Sequence, residues 1–450
     1  MERAAASRRI AELVDDRIAD GVFRVHGDAY RDPVIFEHEL EHVFYKTWVF
    51  LGHVSQLPGP NSRLSAVIGR RPVLMTRNAA GDIRAFYNAC RHKGAMLTRT
   101  ETGSGKYLVC PYHGWASDSD GRNIDIKDRA AGGYSEAFGA EGHDLVPLPS
   151  LAVYKGLIFG ACSEDVPPLQ AFLGDMAVFL DLAMEQSPDG MEFVPGKLAF
   201  RYHGNWKLQL DNGTDFYHLT STHAGFMDIM GRRRGGREGN QEARQFDWQK
   251  RLSQQGGTFQ FPHGHAAVWL DQAEIEKRPI YPAIAEIRQR LGDVHAEWML
   301  RIRGISVFPG MQIADGASLT LRYVRPLAVD LTEVRYFCLA PVGEAPEVRA
   351  WRLRQFEDFF NVSGLATPDD AVLYEDCQRG FNAATWMQGY ARGLAHLTPG
   401  GNPAADRLGV RPLASVSGGF EMQNETTLHP LYREWARLLA AGLEGRPAYG

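Results

Sequence analysis

The chain has 450 residues, 44% of them apolar and 23% charged, with a formal net charge of −5. That length buries more than one hydrophobic core, and the composition is that of a globular protein rather than a disordered or membrane-embedded one. The slight acidity gives no general basic field, which excludes bulk nucleic-acid binding, and five cysteines are too few for a disulfide scaffold and fit a reducing compartment.

In chain order, residues 1–20 alternate charges and lack the apolar stretch of an export signal. Ile10, Leu13, Val14 and Ile18 form one helical stripe. Asp32-Pro33 reads as the cap and first turn of a second helix, ahead of Ile35, Phe36, Leu40 and Val43. Residues 1–45 are therefore expected to be helices packing on the later part of the chain. Over residues 46–160 the texture changes to short β-like runs, such as Trp48-Val49-Phe50-Leu51, Pro72-Val73-Leu74-Met75 and Ile83-Arg84-Ala85-Phe86-Tyr87. Residues 78–82 read as a hairpin turn. The apolar run at 151–162 is short and interrupted by Lys155 and Gly160, and no other reaches membrane length, so a cytoplasmic protein is expected. Pro167-Pro168 opens an amphipathic helix through Leu169, Phe172, Leu173, Met176 and Leu180, the start of a larger domain over 161–450. The glycine-flanked run Arg232-Arg233-Arg234 reads as a solvated loop, because no aromatic residues interleave with it.

Two constellations carry chemistry. The first is Cys90-Arg91-His92, an interval of 17 residues, then Cys110-Pro111-Tyr112-His113. Two loops that each offer one thiolate and one imidazole give the ligand set of a Rieske [2Fe–2S] centre, in which two His replace two Cys on one iron. Zinc sites usually pair Cys with Cys and His with His, and a Cys90–Cys110 disulfide does not suit a reducing compartment. The second constellation is Asp215-Phe216-Tyr217-His218-Leu219-Thr220-Ser221-Thr222-His223. A helix would place Asp215 and His218 on one face, but would set His218 and His223 about 140° apart unless it bends or ends between them, with residues 220–222 the expected place. Non-haem Fe(II) oxygenases hold iron by two His and one carboxylate. The carboxylate is sought in Thr367-Pro368-Asp369-Asp370, where Thr367 would cap a helix and both Asp would lie in its first turn. Either Asp also suits a helix N-terminus without a metal.

Together these motifs resemble the large (α) subunit of Rieske ring-hydroxylating oxygenases, over roughly residues 44–378. Residues 354–370 and 257–265 are similar to the benzoate and anthranilate dioxygenase branch. The resemblance implies an α+β chain: a β-rich Rieske domain plus a larger catalytic domain with an antiparallel sheet surrounded by helices. It implies that Cys90 and Cys110 bind one cluster iron and His92 and His113 the other. It places mononuclear iron on His218, His223 and Asp370, the second Asp of its pair. Asp215 would hydrogen-bond His218 and also His113 of the partner subunit, bridging the electron path. It implies a homotrimer of α or an α3β3 assembly with a small β subunit. Electrons would come from NAD(P)H through a reductase and/or ferredoxin, and both atoms of O2 would enter an aromatic carboxylate to give a cis-dihydrodiol. The alternative within the family is a monooxygenase of the salicylate-hydroxylase or demethylase kind. Outside it stand a pure electron-transfer protein, which the second constellation argues against, and a zinc-stabilised binding module, which would be colourless.

Two positions depart from the family pattern: Asp211 stands where Glu is frequent, and Phe216 where the benzoate branch commonly has Gly. Leu219, Met227, His265, Val307 and Phe308 are the expected substrate-pocket residues. For His263 and His265 a core role outweighs a substrate role. Arg303, Arg322 and Arg325 are available for a carboxylate, with residues 322–325 on a strand whose Leu319, Leu321 and Tyr323 share a face. Their commoner fate is surface charge.

Overall fold

The computed structural model describes residues 9–226, 229, 255–272, 274–316, 318–419 and 424–449. Two compact units divide the chain. One takes residues up to Val43 together with Pro167–Ala448, and the other is Phe44–Val166.

The smaller unit is built from three antiparallel sheets. Val49–His53, Leu157–Ala161 and Ser150–Tyr154 form the first, with Leu157–Ala161 central and buried throughout. Thr102–Ser104, Ser62–Ile68, Arg71–Arg77 and Ile83–Tyr87 form the second. The turn expected at 78–82 closes this sheet: Asn78 N donates to Asp82 O at 2.9 Å, and Asn78 Oδ1 accepts from Asp82 N at 2.8 Å. An Asn that bonds its own turn in this way is the physical reason the residue reads as a hairpin signal. Tyr107–Val109, Ala116–Asp118 and Asn123–Asp125 form the third sheet. Leu74, Phe86, Leu97 and Trp115 gather around Cys90 and Cys110 in one buried cluster.

The larger unit is organised on a ten-stranded sheet whose neighbouring strands run antiparallel. At its centre lie Ala266–Leu270, Ile302–Val307, Met311–Asp315, Leu319–Ala328 and Leu331–Pro341 in sequential order. The helix Trp206–Thr214 lies on this sheet, starting at Asn205, whose side chain accepts from Lys207 N at 3.1 Å. Gly213 lets it approach. A Cβ there would lie 2.0 Å from the Gln312 side chain, which itself donates to Leu210 O at 3.0 Å. No helix among the described residues is long and apolar enough to cross a membrane.

The α+β architecture is as expected, with three local corrections. The stripe through Ile10, Leu13, Val14 and Ile18 is not one helix: Val14–Arg17 and Val22–His26 are strands of an antiparallel pair. Val22–His26 also pairs with Met387–Gly389, burying Phe23 and Val25, so long-range pairing overrides the helical period. The helix after Pro167-Pro168 is two, Leu169–Leu173 and Met176–Met184, interrupted at Gly174. Thr367 is the first residue of the helix Thr367–Phe381 rather than its cap, and its hydroxyl donates to Phe360 O at 3.1 Å. Asp32 and Pro33 do open Pro33–Glu39 as cap and first residue, with Asp32 Oδ1 accepting from Val34 N at 2.8 Å.

Beside the second constellation lies a buried polar knot. The Asp211 carboxylate accepts from the hydroxyls of Tyr432 (2.8 and 2.7 Å), Tyr390 (3.2 Å) and Tyr30 (3.3 Å). Burial pushes its carboxyl from 3.8 up to about 7, against these hydrogen bonds and the nearby charge of Lys207, which pull it down. The folded chain thus holds this proton more tightly than the unfolded chain. Stability from this group is full below pH 4 and declines as pH rises to about 7. Asp211→Asn is expected to flatten that decline by no more than about 4 kcal/mol. The check compares urea midpoints of wild type and variant at pH 5 and pH 8.

Candidate metal centres

The two loops of the smaller unit share one hydrogen-bonding pattern. Cys90 N donates to Ala95 O at 2.9 Å and Gly94 N to Cys90 O at 2.9 Å; Cys110 N donates to Trp115 O at 2.8 Å and Gly114 N to Cys110 O at 3.0 Å. Each loop turns back through a glycine at positive φ, 71° at Gly94 and 72° at Gly114, a conformation that side chains with a Cβ rarely take. Both thiols are buried and free of disulfides. Burial pushes the Cys90 thiol up, with Cys110 beside it raising it further, against the backbone N–H groups of His92 and Lys93. The rings of His92 and His113 lie 4.5 Å apart between centroids, and Trp115 stacks on His92 at 4.7 Å with 5° between planes. Paired thiols and paired imidazoles on two like loops fit a [2Fe–2S] group held by sulfur on one iron and nitrogen on the other.

In the larger unit, His218, His223 and Asp370 bring one donor atom each to within 4.8 Å of one another. They meet because the helix Trp206–Thr214 ends before them. His218 and His223 then flank the short helix Leu219–Thr222 as its two caps. The break therefore falls before His218, and Asp215 reaches His218 through a turn rather than along a helix face. Asp215 Oδ1 accepts from Tyr217 N at 2.5 Å, and its Oδ2 lies 3.4 Å from His218 Nδ1.

Asp370 is positioned by its own helix. Gln378 Oε1 accepts from Asn205 N at 2.9 Å, Glu375 accepts from His203 N at 2.9 Å, and Gln378 Nε2 donates to Tyr30 O at 3.2 Å. The first two bonds tie the helix Thr367–Phe381 to the start of Trp206–Thr214, and the third ties it to Asp28–Arg31. Asp370 Oδ1 then lies 3.3 Å from His223 Nε2 and 3.7 Å from His218 Nε2. Asp369 lies on the other side of His223, 3.6 Å from Nδ1, with its side chain 43% exposed.

Two convergent imidazole nitrogens and one carboxylate oxygen fit the facial set for non-haem iron. Burial opposes protonation of His218. The Asp215 carboxylate beside Nδ1 and the charge of Asp370 outweigh it and hold the imidazole above its ordinary pKa, while Arg322 pulls the other way. A cation seated among these donors would replace that proton. Asn212, unassigned from sequence, is placed at the same point: its Nδ2 lies 3.2 Å from His218 Nε2 and donates to Asp370 Oδ1 at 3.0 Å.

These donors open on a cavity of about 280 Å³. Leu219 lines it as expected, and so does Phe216. Three expected pocket residues do not. Val307 and Phe308 are buried in the core away from it. His265 is held between Phe172 O at 3.0 Å and Phe308 N at 3.1 Å, and burial pushes it down to about 3. His263 faces Glu434 at 3.8 Å. Met227 and Arg232-Arg233-Arg234 lie outside the described residues. The aromatic wall comes instead from Phe226, Phe359 and Phe360. The last two stand just before the Asp370 helix, within a stretch legible by its resemblance but not by its role.

Residues 47–149 match the family described as Rieske [2Fe-2S] domain, and residues 191–441 that described as Ring hydroxylating alpha subunit (catalytic domain). The chain is 37% identical over 448 residues to the 2-halobenzoate 1,2-dioxygenase large subunit of Burkholderia cepacia, covering 99% of this chain and 95% of that one. It is 35% identical to the toluate 1,2-dioxygenase subunit alpha of Pseudomonas putida, covering 96% and 97%. Among solved structures, naphthalene 1,2-dioxygenase from Rhodococcus sp., bound to indole, superimposes with a TM-score of 0.81 at 25% identity and 98% coverage of each chain.

Proposed function

Because the chain belongs to the Rieske ring-hydroxylating oxygenase α-subunit family, with that family's [2Fe–2S] cluster and mononuclear iron, we propose that it oxygenates an aromatic carboxylate of the benzoate kind. Both atoms of O2 enter adjacent ring carbons to give a cis-dihydrodiol. The observation that carries this reading is the convergence of His218, His223 and Asp370 beside a cavity that Phe216, Phe226, Phe359 and Phe360 help to line. Its volume is at the small end of ligand cavities, which suits one substituted ring.

Each centre has its holders. Cys90, Cys110, His92 and His113 hold the cluster; His218, His223 and Asp370 hold the mononuclear iron. When bound, these groups supply single electrons and O2 activation. The rest is the chain's work. Asp215 fixes the tautomer and orientation of His218 through Nδ1, leaving Nε2 turned toward Asp370. Asn212 donates to Asp370 Oδ1 and restrains that carboxylate. Phe216, Phe359 and Phe360 exclude water and hold the ring by its faces. Asp215 also meets His113 of the partner subunit, so the working form is a homotrimer or an α3β3 assembly served by a reductase and/or ferredoxin.

The test is anaerobic single turnover of the reduced holoenzyme with benzoate, followed by O2. About three irons per chain and a cis-dihydrodiol with two oxygen atoms from O2 are expected. A singly hydroxylated acid would move the chain to the monooxygenases.

A further inference from the structure

Four cations line the cavity beside the metal donors: Lys277, Arg278, Arg303 and Arg322. Lys277 lies 2.8 Å from Glu274, and Arg278 and Arg303 both hold Asp315. Arg322 differs. Among the described residues it has no carboxylate at ion-pair distance, and its buried Nε has no hydrogen-bond partner. Its guanidinium carbon stands instead 4.7 Å from the ring centre of Phe360 and 5.2 Å from that of Tyr336. The residue is only 7% exposed. Arginine keeps its charge when buried, and a buried charge without a counter-ion is costly, so this wall is built to receive an anion.

Arg303 competes for the role, because Asp315 is one carboxylate between two guanidiniums and Arg303 Nε and Nη1 also lack partners among the described residues. Position decides between them. Phe360, under Arg322, contacts Phe359 edge-on at 4.7 Å, and Phe359 faces the His223 ring at 5.9 Å. A ring lying against Phe359 and Phe360 would thus have the metal donors on one side and Arg322 on another. The strand Leu319–Ala328, central in the sheet, fixes Arg322 between Gln312 and Tyr336.

We propose that Arg322 receives the substrate carboxylate as a bidentate pair and thereby sets which ring edge faces His218, His223 and Asp370. The other three cations are engaged by protein carboxylates. This rests on the reading of the substrate as an aromatic carboxylate, and it adds that specificity for the acid resides in one side chain.

The test is calorimetric binding of benzoate and of neutral benzamide to the anaerobic holoenzyme, with iron content and visible spectrum matched between variants. Arg322→Gln is expected to weaken benzoate by about 10- to 100-fold and benzamide by less than about threefold. Arg322→Lys keeps the charge without the planar fork and should lose about three- to tenfold for benzoate alone. It answers the question should the Gln variant not fold. Wild-type binding of benzoate with unchanged affinity in both variants, or equal losses for both ligands, overturns the proposal and leaves the oxygenase reading standing. If wild type itself binds benzoate no better than benzamide, the carboxylate reading falls and the proposal with it.

Discussion

Asp370→Ala is expected to leave a brown, folded protein that no longer turns over, with activity lower by at least about a thousandfold. About two irons per chain should remain where wild type holds about three, because the proposed cluster ligands, Cys90, His92, Cys110 and His113, lie in the other unit. The reason is geometric. Asp370 Oδ1 is the only atom that both His218 Nε2 and His223 Nε2 approach within 3.7 Å among the described carboxylates. Removing it takes away the anionic third of the donor set and leaves Asn212 Nδ2 without its acceptor. Asp369→Ala is the control. That carboxylate approaches His223 from the Nδ1 side and is substantially exposed, so its loss should cost about tenfold or less. Metal analysis with single-turnover product yield separates the two. Equal loss of iron from both variants would move the ligand role to the pair as a whole.

The adjacent aspartates show where sequence reading ends. Residue spacing places Asp369 and Asp370 in one helical turn and goes no further, because their directions depend on how Gln378 and Glu375 dock that helix on Asn205 and His203. The cluster loops lie at the opposite extreme. Their ligands are local in sequence, each loop closes on itself, and both were legible before any fold was known. Local chemistry also carried the turn at Asn78 and the cap at Asp32. It failed at the N-terminal stripe, where pairing of Val22–His26 with a strand more than 300 residues away decides the conformation. The pocket failed for a related reason. Val307 ends a strand of the sheet, and His265 and Phe308 adjoin its strands, but all three are buried in the core, whereas Arg322, Phe359 and Phe360 reach the cavity from elements whose alignment only the sheet register and helix docking provide.

Glu39→Ala is expected to destabilise the larger unit by about 3–5 kcal/mol without touching a metal donor. Glu39, at the end of Pro33–Glu39, is fully buried and pairs with Lys207, whose side chain has no exposed surface. It also accepts the indole N–H of Trp206 at 2.7 Å and of Trp435 at 2.7 Å. Removing it strands a buried ammonium and two buried donors together. Burial already pulls the Lys207 pKa down, and the Glu39 carboxylate beside it is what holds it up. The double variant Glu39→Leu with Lys207→Met, which removes both charges, should recover the part of that loss due to the stranded ammonium, while the Trp206 and Trp435 N–H groups stay without an acceptor. Denaturant midpoints of the two variants and wild type measure this directly. The consequence reaches the site because Trp206 and Lys207 open the helix that leads into Asn212 and Asp215. Iron retention should therefore fall in the single variant and return in part in the double one; a single variant as stable as wild type would mean that the ion pair contributes nothing to how this helix is held.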